Sequence, residues 1–238
     1  MPSRPIPLLL TRPEAQSHRF AHEAAIRFGT AISIEISPLI AIVGRPFEAD
    51  LTGITGLVFT SENAVVEFAS KHPGRCLAAW CVGERTAEAA RRAGFNARSA
   101  SGGAAELAAL LLRDGVTGKL LHLHGRHLAT DLADLLTAAG LQTQSQVIYD
   151  QRPVGLTVPA KKLLAQDAPI LLPLFSARTA RLFAAQASGC RAGLRVAAIS
   201  PAVASTLSLP VARLAIARQP NSAAMLAALA SLVEEPPA

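Results

Sequence analysis

Residues 57–65 read LVFTSENAV and residues 172–180 read LPLFSARTA, so one pattern occurs twice in this chain. AWCVGERTAEAA (79–90) and FNARSASGGAAELAALLL (95–112) follow the first copy, and VAAISPAVASTL (196–207) and VARLAIARQPNSAAMLAALASL (211–232) follow the second. Each segment is a short apolar run, a turn of Ser, Thr, Gly or Pro, and a helix-like stretch. The first series continues with LLHLHGRHLATDLADLLTAAG (120–140), and nothing after residue 232 answers it. Its counterpart lies at the other end of the chain, LLLTRPEAQSHRFAHEAAIRFG (8–29). The offset predicts two lobes of one kind, one of them interrupted by the other.

Short Val/Ile/Leu runs alternating with helical patterns point to parallel sheets covered on both faces. Strands are expected near 57–60, 78–82, 95–98, 120–124 and 143–149 in one lobe, and near 7–11, 31–37, 170–175, 195–199 and 212–217 in the other. Five strands per lobe predict two flavodoxin-like doubly wound α/β units with parallel five-stranded sheets. The expected boundaries are 1–37 with 158–238 for a discontinuous lobe and 52–149 for the inserted one. Segments 38–51 and 150–157, with Pro and Gly and little helical pattern, are the two connections. Side by side, they would let a cleft between the lobes open and close. Glycine after several helical stretches (Gly29, Gly94, Gly140) supplies the left-handed stop.

Half of the 238 residues are hydrophobic and only 17% are charged, which fits a well-packed chain and excludes a disordered one. The net charge of +6 comes mostly from arginine; Lys71, Lys119, Lys161 and Lys162 are the only lysines. Arginine forks match planar carboxylates and phosphates, although ordinary surface charge accounts for the same total. One Tyr, one Trp and no Lys/Arg run argue against nucleic acid. Cys76, Cys81 and Cys190 have no metal-type spacing and are odd in number, so a reducing cytoplasm is expected. The N-terminal apolar stretch is too short for a signal peptide, and no apolar run is long enough to span a bilayer.

Ligands of doubly wound sheets sit beyond the carboxyl ends of the strands, so chemistry is sought in the turns that follow them. Thr60 and Ser61 end one strand and Ser176 ends its repeat partner. Gly83 to Thr86 and Ser200-Pro201 form a second matching pair of turns. A helix start carries unpaired, partly positive N–H groups that can receive a carboxylate, and Ser/Thr hydroxyls add donors. The same residues are also preferred N-caps with no ligand at all. Arginine recurs in these turns as Arg12, Arg85, Arg126 and Arg178, with Arg12 held by Pro13 at a first helical position. His122 and His124 share one strand face and His127 falls in the following helix, but nothing completes a metal site, so none is expected. His124, at the strand end beside Gly125, is a candidate ligand contact. Ser101-Gly102-Gly103 reads as a plain helix start, and GxSxG and GxGxxG are absent. Tyr149, the single tyrosine, stands where the last strand of the inserted lobe enters the connection. Its phenol suits proton or hydrogen-bond donation to a leaving oxygen, or simply an amphipathic place at a domain junction. Trp80 is a core residue.

The pieces LLLTRPEAQ, VFTSENAV, CVGERTAEAARRAGF, LLHLHGR, VIYDQRP, LLPLFSARTARLF and AAISPAVASTL stand in an order that resembles the uroporphyrinogen-III synthase family over nearly the whole chain. That resemblance implies two α/β lobes joined by a two-stranded linker, the N-terminal lobe being discontinuous. It implies a cofactor-free cyclisation of hydroxymethylbilane, a linear tetrapyrrole with eight carboxylates, to uroporphyrinogen III with inversion of the last ring and loss of water. By the resemblance, Tyr149 assists departure of the hydroxyl and Thr86 contributes modestly. The resemblance also assigns Thr60, Ser61, Ser176 and Ser200 to holding the acetate and propionate groups, and the reading of the turns adds Arg12, Gly83, Arg85, His124, Gly125, Arg126 and Arg178 to them. Many relatives place a Thr soon after the Pro of the SP turn, whereas Ala202 and Val203 follow Pro201 here, so that turn would contribute backbone contacts alone. A monomer without membrane or nucleic-acid partners is expected, meeting hydroxymethylbilane synthase transiently. The competing reading is a non-catalytic two-lobed binding or sensor protein for an anionic small molecule.

Overall fold

The computed structural model describes residues 4–73, 77–127 and 131–233. In chain order the elements are β1 (Ile6–Leu10), α1 (Glu14–Phe28), β2 (Ile32–Ile36), β3 (Ile40–Gly44), β4 (Ile54–Phe59), α2 (Glu62–Lys71), β5 (Ala78–Cys81), α3 (Glu84–Arg92), β6 (Asn96–Ser99) and α4 (Ala104–Arg113). After these come β7 (Lys119–Gly125), α5 (Leu132–Ala138), β8 (Thr143–Pro153), α6 (Val158–Leu164), β9 (Pro169–Leu174), α7 (Ala177–Gln186), β10 (Gly193–Ala198), α8 (Pro201–Ala204), β11 (Arg213–Ile216) and α9 (Ser222–Val233). The chain divides into two compact units, Met1–Ala41 with Arg152–Ala238, and Ile42–Gln151.

In the discontinuous unit the sheet order is β11-β10-β9-β1-β2, with every pairing parallel. Counted along that unit alone, this is the doubly wound order 2-1-3-4-5. Runs such as Leu8, Leu9, Leu10 and Ile170 to Leu172 are buried because helices cover both faces. Phe20, Ala21 and Ala24 of α1 lie on one helical stripe and pack with Met225 and Leu229 of α9 against Leu8 and Leu10. On the other face Ala180 and Phe183 of α7 pack against Leu9, Leu172 and Leu174. Each buried Leu, Ile or Phe contributes about 1.5–3 kcal/mol, which is what overcomes the entropy of ordering the strands. The helices that follow neighbouring strands β1 and β9 therefore leave to opposite faces.

The second unit repeats the arrangement from a displaced start. Its sheet runs β3-β8-β7-β4-β5-β6, and from β8 to β6 the strands are parallel. With β7 matched to β1 and β4 to β9, the order is again 2-1-3-4-5. Phe68 of α2, after β4, packs on the face of Leu57, Phe59 and Leu123. Leu132 and Leu136 of α5, after β7, pack on the opposite face with Val58 and Leu120. Helices α3 and α5 stop at Gly94 and Gly140, whose φ of 90° and 86° suit glycine.

One strand more than the repeat predicts is present here. Ile40–Gly44, expected within a connection, pairs beside β8 as an edge strand. The pair is antiparallel: Val154 N–H donates to Leu39 O (3.0 Å) and Arg45 N–H to Ile148 O (2.9 Å). The run Ile40-Ala41-Ile42-Val43 has the β-branched character of a strand, and Pro38 and Pro46 around it conceal the signal. β8 likewise continues to Pro153 and does not stop at 149.

Trp80 is buried on β5, and its Nε1–H donates to Asp114 Oδ2 at 2.8 Å while Arg98 Nη1 lies 2.6 Å from Asp114 Oδ1. The indole ring occupies the space that a Cβ on Gly56 would need. Replacing Gly56 with Ala is expected to destabilise the protein by about 1–3 kcal/mol through overpacking. A urea unfolding midpoint equal to that of the parent would show that the ring has room to move.

Candidate active site

Where helices diverge from neighbouring strands, the carboxyl ends of those strands are left uncovered, and a ligand can reach the backbone there. In the discontinuous unit that point lies between β1 and β9. Arg12 follows β1 directly, half-buried, with its guanidinium carbon 3.9 Å from the centre of the Phe175 ring. Contact with an aromatic face restrains the fork. Ser176 follows β9 and caps α7, accepting from Thr179 N–H at 3.1 Å and lying 2.9 Å from the Thr179 hydroxyl. Arg178 is half-buried in the first turn of α7. Ser200, after the adjacent β10, caps α8 by accepting from Val203 N–H at 3.3 Å. Pro13 is the N-cap of α1 and not its first helical residue; Ser17 Oγ donates to Arg12 O at 2.9 Å across that start.

In the other unit the corresponding point lies between β7 and β4. Thr60 is exposed after β4, and Ser61 caps α2 by accepting from Asn63 N–H at 3.2 Å. Gly83, at the end of the adjacent β5 turn, is the N-cap of α3 and has no side chain to place over its N–H groups. Arg85 is exposed in that first turn, while Thr86 is buried beneath it, 7% exposed. Gly125 ends β7, and Arg126 follows, its Nε 3.2 Å from Asp150 Oδ2 and its N–H donating to Tyr149 O at 3.0 Å. Tyr149 is 4% exposed, in the middle of β8 and packed with Phe59 and Leu123. The cap hydroxyls thus serve their own helices, as the N-cap reading expects. An Oγ that accepts from a backbone N–H still keeps its own proton to donate.

His124 takes a different place from the one expected. Its ring is 5% exposed, Nδ1 is 2.8 Å from Gly125 O and Nε2 is 2.6 Å from Ser145 Oγ. Both nitrogens are engaged within the unit, and the residue secures the end of β7. Its ring stacks on His122 at 4.7 Å. His127 is exposed and precedes the described start of α5 at Leu132, outside the helix that the sequence pattern assigns to it. Two residues of these sites escape a sequence reading. Phe175, the platform for Arg12, is signalled only as the aromatic before Ser176, and Asp150, the partner of Arg126, only as the neighbour of Tyr149.

Neither nitrogen of His122 has a hydrogen-bond partner among the described residues, although the side chain is fully buried. Burial, reinforced by His124, pushes its pKa down to about 4. The unfolded chain, with a His pKa near 6.5, binds that proton more readily. Stability from the neutral ring is therefore fully present above about pH 6.5 and is lost as pH falls toward 4, on the order of 3 kcal/mol in all. His122→Leu is expected to flatten this acid limb and, by removing two unpaired nitrogens, to raise stability at neutral pH by about 1–3 kcal/mol. Denaturant titrations of both proteins at several pH values check it, and an unchanged acid limb would refute it.

Two doubly wound α/β units with helix-start turns at the carboxyl ends of their central strands make up the fold, and the family whose model matches the chain is one of cyclising lyases. The family model for uroporphyrinogen-III synthase HemD matches residues 23–227. The chain belongs to the uroporphyrinogen-III synthase family, and the activity that goes with that membership is conversion of hydroxymethylbilane to uroporphyrinogen III. Among solved structures, uroporphyrinogen-III synthetase from Helicobacter pylori is similar in fold, with a TM-score of 0.64 at 19% identity over 96% of this chain and 99% of that one. A mutant uroporphyrinogen III synthase from the extremely thermophilic bacterium Thermus thermophilus has a TM-score of 0.50 at 15% identity over 97% of this chain and 100% of that one. No curated protein matches the chain. Among the described residues no helix is long and apolar enough to cross a membrane.

Proposed function

We propose that the strand-end turns bind the carboxylates of hydroxymethylbilane. The observation that carries this reading is the placement of Arg12, Ser176 and Arg178 at the β1/β9 divergence and of Thr60, Ser61 and Arg126 at the β7/β4 divergence. A substrate with eight carboxylates needs many weak anion contacts, and helix-start N–H groups, cap hydroxyls and arginine forks supply them. Ser200, Gly83 and Arg85 extend the set to the neighbouring strand ends. At Ser200 the backbone N–H groups carry the contact, since Ala202 and Val203 add no hydroxyl. A cytoplasmic monomer that receives its substrate from hydroxymethylbilane synthase is the setting in which we place it.

The reaction itself begins with electron push from the terminal pyrrole nitrogen, which expels the hydroxyl of the hydroxymethyl group. Tyr149 donates a hydrogen bond or proton to that oxygen, so that water leaves and an azafulvene remains. Thr86, buried in the first turn of α3, supports the same region in a lesser role. The substituted carbon of the last ring attacks the azafulvene carbon and forms a spiro intermediate. Cleavage of its other bond and reclosure at the unsubstituted carbon invert the ring, and loss of a proton restores aromaticity. Uncatalysed closure attacks directly from the unsubstituted carbon and gives the type I isomer. The enzyme must favour one attack over another of similar intrinsic difficulty, so orientation of the bound chain is the principal physical means. A binding role without chemistry has no observation of its own in its favour.

Purified protein given freshly generated hydroxymethylbilane is expected to yield the type III isomer. Type I product alone, formed at the uncatalysed rate, would defeat the reading. Tyr149→Phe is expected to lower kcat by roughly 10²-fold while changing KM far less. Single-turnover kinetics equal to those of the parent would remove Tyr149 from the chemistry.

A further inference from the structure

The end of β7 and the middle of β8 are out of step in a way that concerns one side chain. Along the parallel pair, His122 faces Ser145, Leu123 faces Gln146 and His124 faces Val147, but Gly125 faces Tyr149. β8 has one residue more than β7 across this step, and Ile148 is the one passed over. In a regular strand successive side chains point to opposite faces. Here Ile148 and Tyr149 both pack into the same hydrophobic cluster, with Leu121, Leu123 and Phe59. The irregularity has turned Tyr149 onto the face of the sheet occupied by Leu123 and Gly125, which is the effect of a bulge that re-aims a side chain.

What the ring finds there is the absence of a side chain. A Cβ built on Gly125 would lie 2.5 Å from Tyr149 Cζ, 2.6 Å from Cε2 and 2.9 Å from the phenol oxygen. The outer edge of the ring, including the hydroxyl, therefore lies directly over the Gly125 Cα. Real non-bonded carbons stay well beyond about 3 Å, so no other residue type fits while the phenol remains in place. Gly125 is the last residue of β7, one of the two strands whose ends diverge in this unit. Its bareness lets a side chain anchored on β8 carry its hydroxyl across to that end. Arg126 holds the two strands at this register, through its N–H to Tyr149 O and its guanidinium to Asp150.

We propose that Gly125 and the β8 irregularity form a slot that positions the Tyr149 phenol, so that Gly125 is a positioning residue and not a substrate contact. This rests on the reading of Tyr149 given above. Tyr149 is the single tyrosine, so fluorotyrosine labelling gives one fluorine resonance that reports on the slot directly. Gly125→Ala is expected to shift that resonance and to lower kcat by roughly 10²-fold, the cost of displacing a catalytic group by about 1 Å, with KM changing far less. In the Tyr149→Phe background the same substitution is expected to add little, because the displaced hydroxyl is already gone.

An unshifted resonance in Gly125→Ala would overturn the slot. A shifted resonance with kcat losses that multiply across the two substitutions would show that Gly125 acts independently of Tyr149, which also overturns the proposal. A shifted resonance with Tyr149→Phe at full rate would instead remove the role of Tyr149, and the catalytic meaning of the slot would fall with it. If Gly125→Ala does not fold, Gly125→Ala/Tyr149→Ala decides the matter. Recovery of folding supports a clash with this ring, and failure to recover refutes it.

Discussion

Burial of parallel strands on both faces is the constraint from which the rest follows. Leu8 to Leu10 and Ile170 to Leu172 in one unit, and Leu57 to Phe59 and Leu120 to Leu123 in the other, have side chains with no route to water on either side. Each strand must therefore be followed by a helix, and neighbouring central strands must send their helices to opposite faces. α1 and α7 do so in one unit and α5 and α2 in the other. Between the diverging helices the strand ends are bare, and the polar groups that remain there are helix-start N–H groups, cap hydroxyls and the side chains of the turns. The site is a by-product of how the cores are closed.

That origin explains why the residues present suit a polyanion and orientation-controlled chemistry. Ser61, Ser176 and Ser200 are already committed to their helices, each accepting from a backbone N–H in the first turn. Arg12 is held over the Phe175 ring, which restricts its long side chain in advance. Tyr149 is embedded among Phe59, Leu123 and Ile148, so its phenol is carried on a rigid wall. His122 and His124 of β7 show the opposite economy on the other face of the same sheet. His124 has both nitrogens satisfied and His122 has neither among the described residues, and the buried His122 ring weakens the fold in acid.

Much of this was legible without coordinates. The apolar runs and turn residues are local signals, so β1, β9 and β10 fall within a residue or two of where the pattern put them, and Ser61, Ser176 and Ser200 are caps because Ser before a helical stretch is a cap. The β3 run was obscured because prolines flank it and its strand character is realised only by pairing with β8. The partners of His124 were hidden for a related reason: position at a strand end says nothing about what its nitrogens meet, and Ser145 Oγ reaches it only through the β7/β8 pairing.

Period, turn chemistry and the displaced repeat are properties of neighbours in the chain, and they determined the doubly wound class, the interrupted lobe and the turns worth inspecting. Distances between strands far apart in sequence are set by register, which depends on how two cores close at once. Only that closure decided that Arg12 lies on Phe175 and that Tyr149 faces Gly125 across an irregular step. The alternation of side chains along β8 would have turned the phenol away from Gly125; one extra residue, tolerated because Gly125 has no side chain, turned it back.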